Sequence, residues 1–202
     1  MRRLAQFPLA AFAAAAFVAA ALAGPAAWAA DAHGEGAFAD RFVALAEPAP
    51  APETEIDLGG GGRTSIGAHL GDVVIVTLWA TWCHVCDHEM PELAAVARRF
   101  EGRGLTVMPV SVDEPPAEAV VAKEIAENGL APLPVMLDRN FALAGRVGLR
   151  GTPTTLIVDK FGRIVAGFEG RGPWTDPETI DYLEALIAAE DEAASASLLA
   201  GR

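Results

Sequence analysis

Residues 4–23 form an almost unbroken apolar run, and every later apolar stretch is short and bounded by polar residues. Residues 73–79 are apolar without alternation, the pattern of a strand buried on both faces. Immediately downstream, Met90, Leu93, Ala94, Ala97 and Phe100 recur at helical spacing, which predicts a helix over 87–100 with one face in the core. Pro91 inside it predicts a kink. Residues 105–112 read as the next strand. Pro109 cannot donate to a ladder, so a bulge or an edge position is expected there. Pro115 and Pro116 open a helix with Val121 and Ile125 facing inward, and Asn128-Gly129 ends it. A short strand at 134–137 and a short helix at 141–147, closed by Gly148, follow. Strands at 154–158 and 163–168 flank Asp159-Lys160-Phe161-Gly162, a turn signal, and so form an antiparallel hairpin. Asp176-Pro177-Glu178 starts the last helix, with Ile180, Leu183 and Ile187 on its buried side. Upstream, residues 55–58 and 64–66 flank Gly59-Gly60-Gly61-Gly62 as a short hairpin. Strands alternating with helices predict an α/β fold, and the closing hairpin makes the sheet mixed.

The first apolar run has the layout of an export signal. Met1-Arg2-Arg3 is a basic start, residues 4–23 are the apolar segment, and Ala27-Trp28-Ala29 puts small residues at a cleavage site. About 20 apolar residues can also span a bilayer, so an uncleaved anchor is the alternative, a membrane tether through residues 4–23. Either way the folded part is expected in the periplasm. Residues 30–53, rich in Pro and Ala, read as a linker whose segment 47–53 favours extended polyproline geometry and buries nothing. His33 falls there, in Gly-rich sequence, as a solvated residue. The folded domain is expected over 54–190 and a flexible tail over 191–202. The net charge of −12 excludes nucleic acid as a partner, since phosphate repels such a surface and no Lys/Arg cluster opposes the average. A monomer is expected.

Cys83 and Cys86 are the only cysteines of the 202 residues. They lie where the buried strand ends and the helix begins. A helix N-terminus stabilises a thiolate, and the spacing of three puts both sulfurs on one turn. This reads as a redox dithiol. A structural zinc ordinarily needs a second pair of ligands, and only His84 and His88 are near, crowded onto the same turns. A c-type haem would need His directly after the second Cys, where Asp87 stands. A peroxidase would use a lone cysteine with no partner one turn on. No cofactor or metal is expected.

The segments Trp79-Ala80-Thr81-Trp82-Cys83-His84-Val85-Cys86, Glu89-Met90-Pro91 and Gly151-Thr152-Pro153-Thr154-Thr155 together resemble the thioredoxin-like superfamily, and within it the exported TlpA/ResA-type thiol-disulfide oxidoreductases. The resemblance covers residues 55–188. It implies a thioredoxin-like α/β fold, a mixed central sheet flanked by helices, with an N-terminal β-hairpin extension. It implies that Cys83 attacks and Cys86 resolves, forming a redox-active disulfide. Pro153 matches the family's cis-proline, beside which the Thr152 backbone would pair with an extended substrate. Trp82 and His84 would flank that substrate. Many thioredoxins carry a buried acid six residues before the first Cys, where Thr77 stands here. In TlpA/ResA-type members the acid lies three residues after the second Cys, and Glu89 matches it.

One position departs from the family: Val85 replaces the usual Pro before the second Cys. His84, next to Cys83, would favour the thiolate when cationic and make the dithiol more oxidising. A screened surface charge is worth only a few tens of millivolts, so the expected function remains the one the resemblance implies: reduction of disulfides in exported partners, such as those of cytochrome c or copper-site assembly, with a membrane protein recharging the dithiol. The alternatives are an oxidant or isomerase, favoured by His84, and a metal-binding module built on Cys83, Cys86 and a histidine.

Overall fold

The computed structural model describes residues 43–190, with side chains from residue 48 onward. The expected leader or anchor at 1–29, His33 and the tail at 191–202 lie outside them. The strands are β1 (Val43–Pro50), β2 (Ile56–Leu58), β3 (Arg63–Thr64), β4 (Val73–Trp79), β5 (Leu105–Ser111), β6 (Met136–Leu137), β7 (Thr154–Val158) and β8 (Arg163–Glu169). The helices are α1 (Cys86–Arg99), α2 (Glu118–Glu127), α3 (Ala142–Val147) and α4 (Pro177–Ala188). Among the described residues the strands make one sheet in the order β1-β8-β7-β4-β5-β6-β2-β3.

All residues of β4 are buried, which puts it at the centre. Each Val, Ile or Leu so buried contributes on the order of 1.5–3 kcal/mol, so a strand that is apolar on both faces takes an enclosed position. It pairs in parallel with β5 and antiparallel with β7. The sheet is therefore mixed, with the closing hairpin of β7 and β8 antiparallel. Helix α1 turns Cys86, Glu89, Met90, Leu93, Ala94 and Val96 to the interior, and α4 turns in Ile180, Leu183 and Leu186 together with Thr179 and Tyr182.

Several expectations are corrected. The linker does not run through residue 53: Val43–Pro50 is an edge strand antiparallel to β8. Extended and β backbone share one conformational basin, and proline is tolerated where a strand has an open edge. Ala51 N–H continues the contact by donating to the Gly162 carbonyl at 2.9 Å, and Thr54 and Ile56 are buried. Pro109 causes no bulge. The β4–β5 register is unbroken across Thr77↔Pro109, and β6 pairs with β5 only from Val110 onward, so Pro109 lies where that flank of β5 is still open. Helix α1 starts at Cys86, one residue before the expected start, and runs to Arg99 with Pro91 inside it. The β2–β3 pair has its second strand at Arg63–Thr64, and Ile66 belongs instead to a short 3-10 turn, Ile66–His69. Helix α3 starts after two left-handed residues, Asn140 and Phe141, with Asp138 accepting from the backbone N–H groups of Leu143 and Ala144 at 2.9 and 2.7 Å.

Candidate functional site: a dithiol at the end of the central strand

The carboxyl end of β4 delivers residues 80–85 into a turn, and α1 begins at Cys86. Ligand sites of open α/β sheets collect at this edge, beyond the carboxyl ends of the parallel strands. Cys83 and Cys86 are joined as a disulfide with Cα atoms 5.2 Å apart. Their exposure differs: Cys83 is 6% accessible and Cys86 0%. Around them Trp82 (67% exposed) and Val85 (48%) present apolar surface to solvent.

Helix α1 has no side-chain oxygen capping its first turn. The Cys83 sulfur fills that role: it accepts the Cys86 N–H at 3.2 Å, the donor that a capping side chain three residues earlier ordinarily takes. The helix terminus thus acts on the first sulfur. His84 does not lie over the dithiol. Its side chain is fully exposed and its Nδ1 sits 3.4 Å from Asp87 Oδ2.

Pro153 is brought to the same edge by strand pairing. Leu78 is opposite Thr154, so the residue before Thr154 lies beside the end of β4 from which the dithiol turn departs. The Thr152–Pro153 peptide is cis, as the resemblance implies. Pro153 is buried, Thr152 half-buried, and the Pro153 carbonyl accepts from Gly170 N–H at 2.8 Å. At the position where many thioredoxins hold an acid, Thr77 Oγ1 and Thr155 Oγ1 share a buried hydrogen bond of 3.0 Å across β4 and β7.

Glu89 is fully buried on the first turns of α1. Being three residues after Cys86, it shares that residue's side of the helix. Its Oε1 accepts two hydrogen bonds, from the Trp174 indole at 2.7 Å and from Gly172 N–H at 3.0 Å, while Oε2 has no partner. Burial pushes its carboxyl up from the ordinary 4.5 to about 7. The two hydrogen bonds and Arg171 hold it down, and Glu92 adds to the rise. A carboxyl in this range can exchange a proton near neutral pH.

Sequence reasoning missed three residues here. Trp174 and Gly172 stand in the connection between β8 and α4, 85 and 83 residues from Glu89. Asp113, just past β5, accepts from Thr81 N–H at 2.9 Å, Thr81 Oγ1 at 2.7 Å and Ser111 Oγ at 2.7 Å, which ties the dithiol turn to the neighbouring strand. Asp113→Ala is expected to destabilise the fold by about 2–4 kcal/mol, since charge-assisted bonds are worth more than neutral ones and the three share one carboxylate. A lowered urea midpoint at unchanged m-value checks it. No group of three or more His, Cys, Asp or Glu that could hold a metal comes together among the described residues. No helix among them is long and apolar enough to cross a membrane.

This fold, with a reactive-cysteine pair at the end of the central strand, defines a thioredoxin-like thiol-disulfide oxidoreductase. The chain belongs to the AhpC/TSA family, whose model matches residues 48–166. It is similar to the thiol-disulfide oxidoreductase ResA of Geobacillus thermodenitrificans, 26% identical over 122 residues, which are 60% of this chain and 68% of that one. The ResA of Bacillus subtilis is 23% identical over 146 residues, covering 72% of this chain and 79% of the relative. Among solved structures, a thiol:disulfide interchange protein of the thioredoxin family from Chlorobium tepidum superposes with a TM-score of 0.60 at 25% identity, over 72% of this chain and all of that one.

Proposed function

We propose that the protein reduces disulfides of exported partner proteins in the periplasm. Substrates of the class handled in cytochrome c or copper-site assembly fit this reading, and a membrane electron donor would recharge the dithiol. The Cys83 thiolate attacks a substrate disulfide, forms a mixed disulfide and releases one substrate thiolate. Cys86 then gives its proton to Glu89 and attacks the Cys83 sulfur. The Cys83–Cys86 disulfide forms and the second substrate sulfur leaves, so the substrate gains the two electrons that the dithiol loses. The turn of Thr152 and Pro153 would receive the extended substrate segment by strand addition, with Trp82 covering its apolar side.

The observation that carries the reducing direction is the position of His84. A cation held against the Cys83 sulfur would stabilise the reduced form and raise the potential. His84 instead stands in water beside Asp87, whose charge opposes its own. Asp87 and Glu89 both occupy the first turn, where carboxylates compete with a thiolate for the helix terminus. Equilibration with glutathione tests the reading. The expected potential lies closer to the thioredoxin value of about −270 mV than to the strong-oxidant value of about −120 mV. A potential near the latter would replace this reading with the disulfide-forming one. His84→Ala is expected to change the potential by at most a few tens of millivolts, because a charge in water beside Asp87 is screened from the Cys83 sulfur. Equilibration of the variant and wild type with glutathione checks it.

A further inference from the structure

The Glu89 carboxylate is held unsymmetrically, and the asymmetry comes from a segment far away in the chain. We propose that Trp174 and Gly172 are positioning residues for disulfide exchange: together they occupy Oε1 of Glu89 and so make Oε2 the atom that takes the Cys86 proton. This rests on the reading of Glu89 as the proton acceptor.

A carboxylate oxygen has two lone pairs, and an indole N–H or a backbone N–H can only donate. With both donors on Oε1, a proton placed there would have to displace one of them and leave it buried without an acceptor. A proton on Oε2, buried and without a partner, displaces nothing. The proton therefore belongs to one identified oxygen.

The clamp is built to stay in place. Trp174 is fully buried, and its ring lies 5.5 Å from that of Phe168 on β8. Gly172 fits into the space these rings leave. A Cβ there would stand 2.4 Å from Phe168 Cζ and 2.8 and 2.9 Å from Trp174 Cε2 and Nε1, distances that side chains do not tolerate. Any larger residue at 172 must push away the indole that donates to Glu89. The charged groups acting on Glu89 are Glu92 on the same helix and Arg171 next to Gly172, which are ion-paired with each other.

The test compares wild type, Trp174→Phe, Glu89→Gln and the double variant. The measured step is resolution of a preformed mixed disulfide with a model peptide, followed from pH 5 to pH 9. Trp174→Phe keeps an aromatic ring and removes the donor. The Glu89 carboxylate then loses a hydrogen bond that favours its charged form, so resolution at pH 7 should slow about tenfold and recover towards pH 9. In the Glu89→Gln background the same change should have no further effect. Slowing of equal size at every pH, or slowing that persists in the Glu89→Gln background, would show a merely structural Trp174 and overturn the inference while leaving Glu89 as the acceptor. An unaltered pH–rate profile in Glu89→Gln would remove the acceptor itself, and the inference with it. A measurement on folded wild type guards against an unstable variant: an indole N–H resonance that titrates near neutral pH and is flat in Glu89→Gln supports the clamp, and the lack of any such resonance overturns it.

Discussion

Cys83→Ser is expected to reduce disulfide exchange to the uncatalysed background, and Cys86→Ser to leave a protein that accumulates mixed disulfides with its substrates. The difference follows from exposure and hydrogen bonding. Cys86 is completely enclosed, so a substrate disulfide can meet only the sulfur of Cys83. That sulfur also holds the Cys86 N–H at the open end of α1, which favours its thiolate. Without Cys83 no attack begins. Without Cys86 the attack occurs, but the intramolecular thiol that would release the substrate is missing, and the mixed disulfide waits for an external thiol. Non-reducing electrophoresis and mass spectrometry of each variant, incubated with an oxidised peptide, check the assignment. Trapping by Cys83→Ser in place of Cys86→Ser would reverse the two roles.

What was legible in the chain was what depends on neighbours in sequence. The unbroken apolar run at 73–79 can be satisfied only between two layers, so the central strand was plain, and the cysteine spacing placed the dithiol at its end. The turn of Asp159 to Gly162 marked the hairpin because its residues make their own local bonds: Asp159 Oδ1 accepts from the N–H groups of Phe161 and Arg163. The β1 strand was hidden by Pro48 and Pro50, which count against a strand in general but not against one with an open edge. The partners of Glu89 were hidden for a different reason. Gly172-Pro173-Trp174 has no periodicity, and its role arises only when the β8–α4 connection folds back over α1. A buried carboxyl needs such donors from somewhere, so the match of Glu89 to the family acid implied partners without naming them. The substitution of Thr77 for an acid had a simple counterpart, Thr155, visible only once β4 and β7 are paired in register.

Glu89→Gln is expected to abolish the pH dependence that Glu89 gives to stability, a change of about 3 kcal/mol between pH 4 and pH 8 in the oxidised protein. The carboxyl titrates at about 7 in the fold against an ordinary 4.5, because burial penalises its charge more than the Trp174 and Gly172 bonds compensate. Below about pH 4 it is protonated in both folded and unfolded chains and contributes no pH-dependent term. Between the two values the folded chain keeps a proton that the unfolded chain has released, so stability falls as pH rises. Above about pH 7 both are ionised and the full penalty stands. Glutamine cannot ionise and removes that slope. It preserves an oxygen for Trp174 and Gly172 but brings a buried amide N–H₂ without acceptors, a cost of about 1–3 kcal/mol that does not vary with pH. The variant should therefore be less stable than wild type at pH 4 and equal or more stable at pH 8. Urea unfolding of both oxidised proteins at pH 4, 6 and 8 measures the difference. If the gap between them were the same at pH 4 and pH 8, Glu89 would titrate as an ordinary exposed acid, already ionised at neutral pH in either redox state, and the proton leaving Cys86 would need another acceptor.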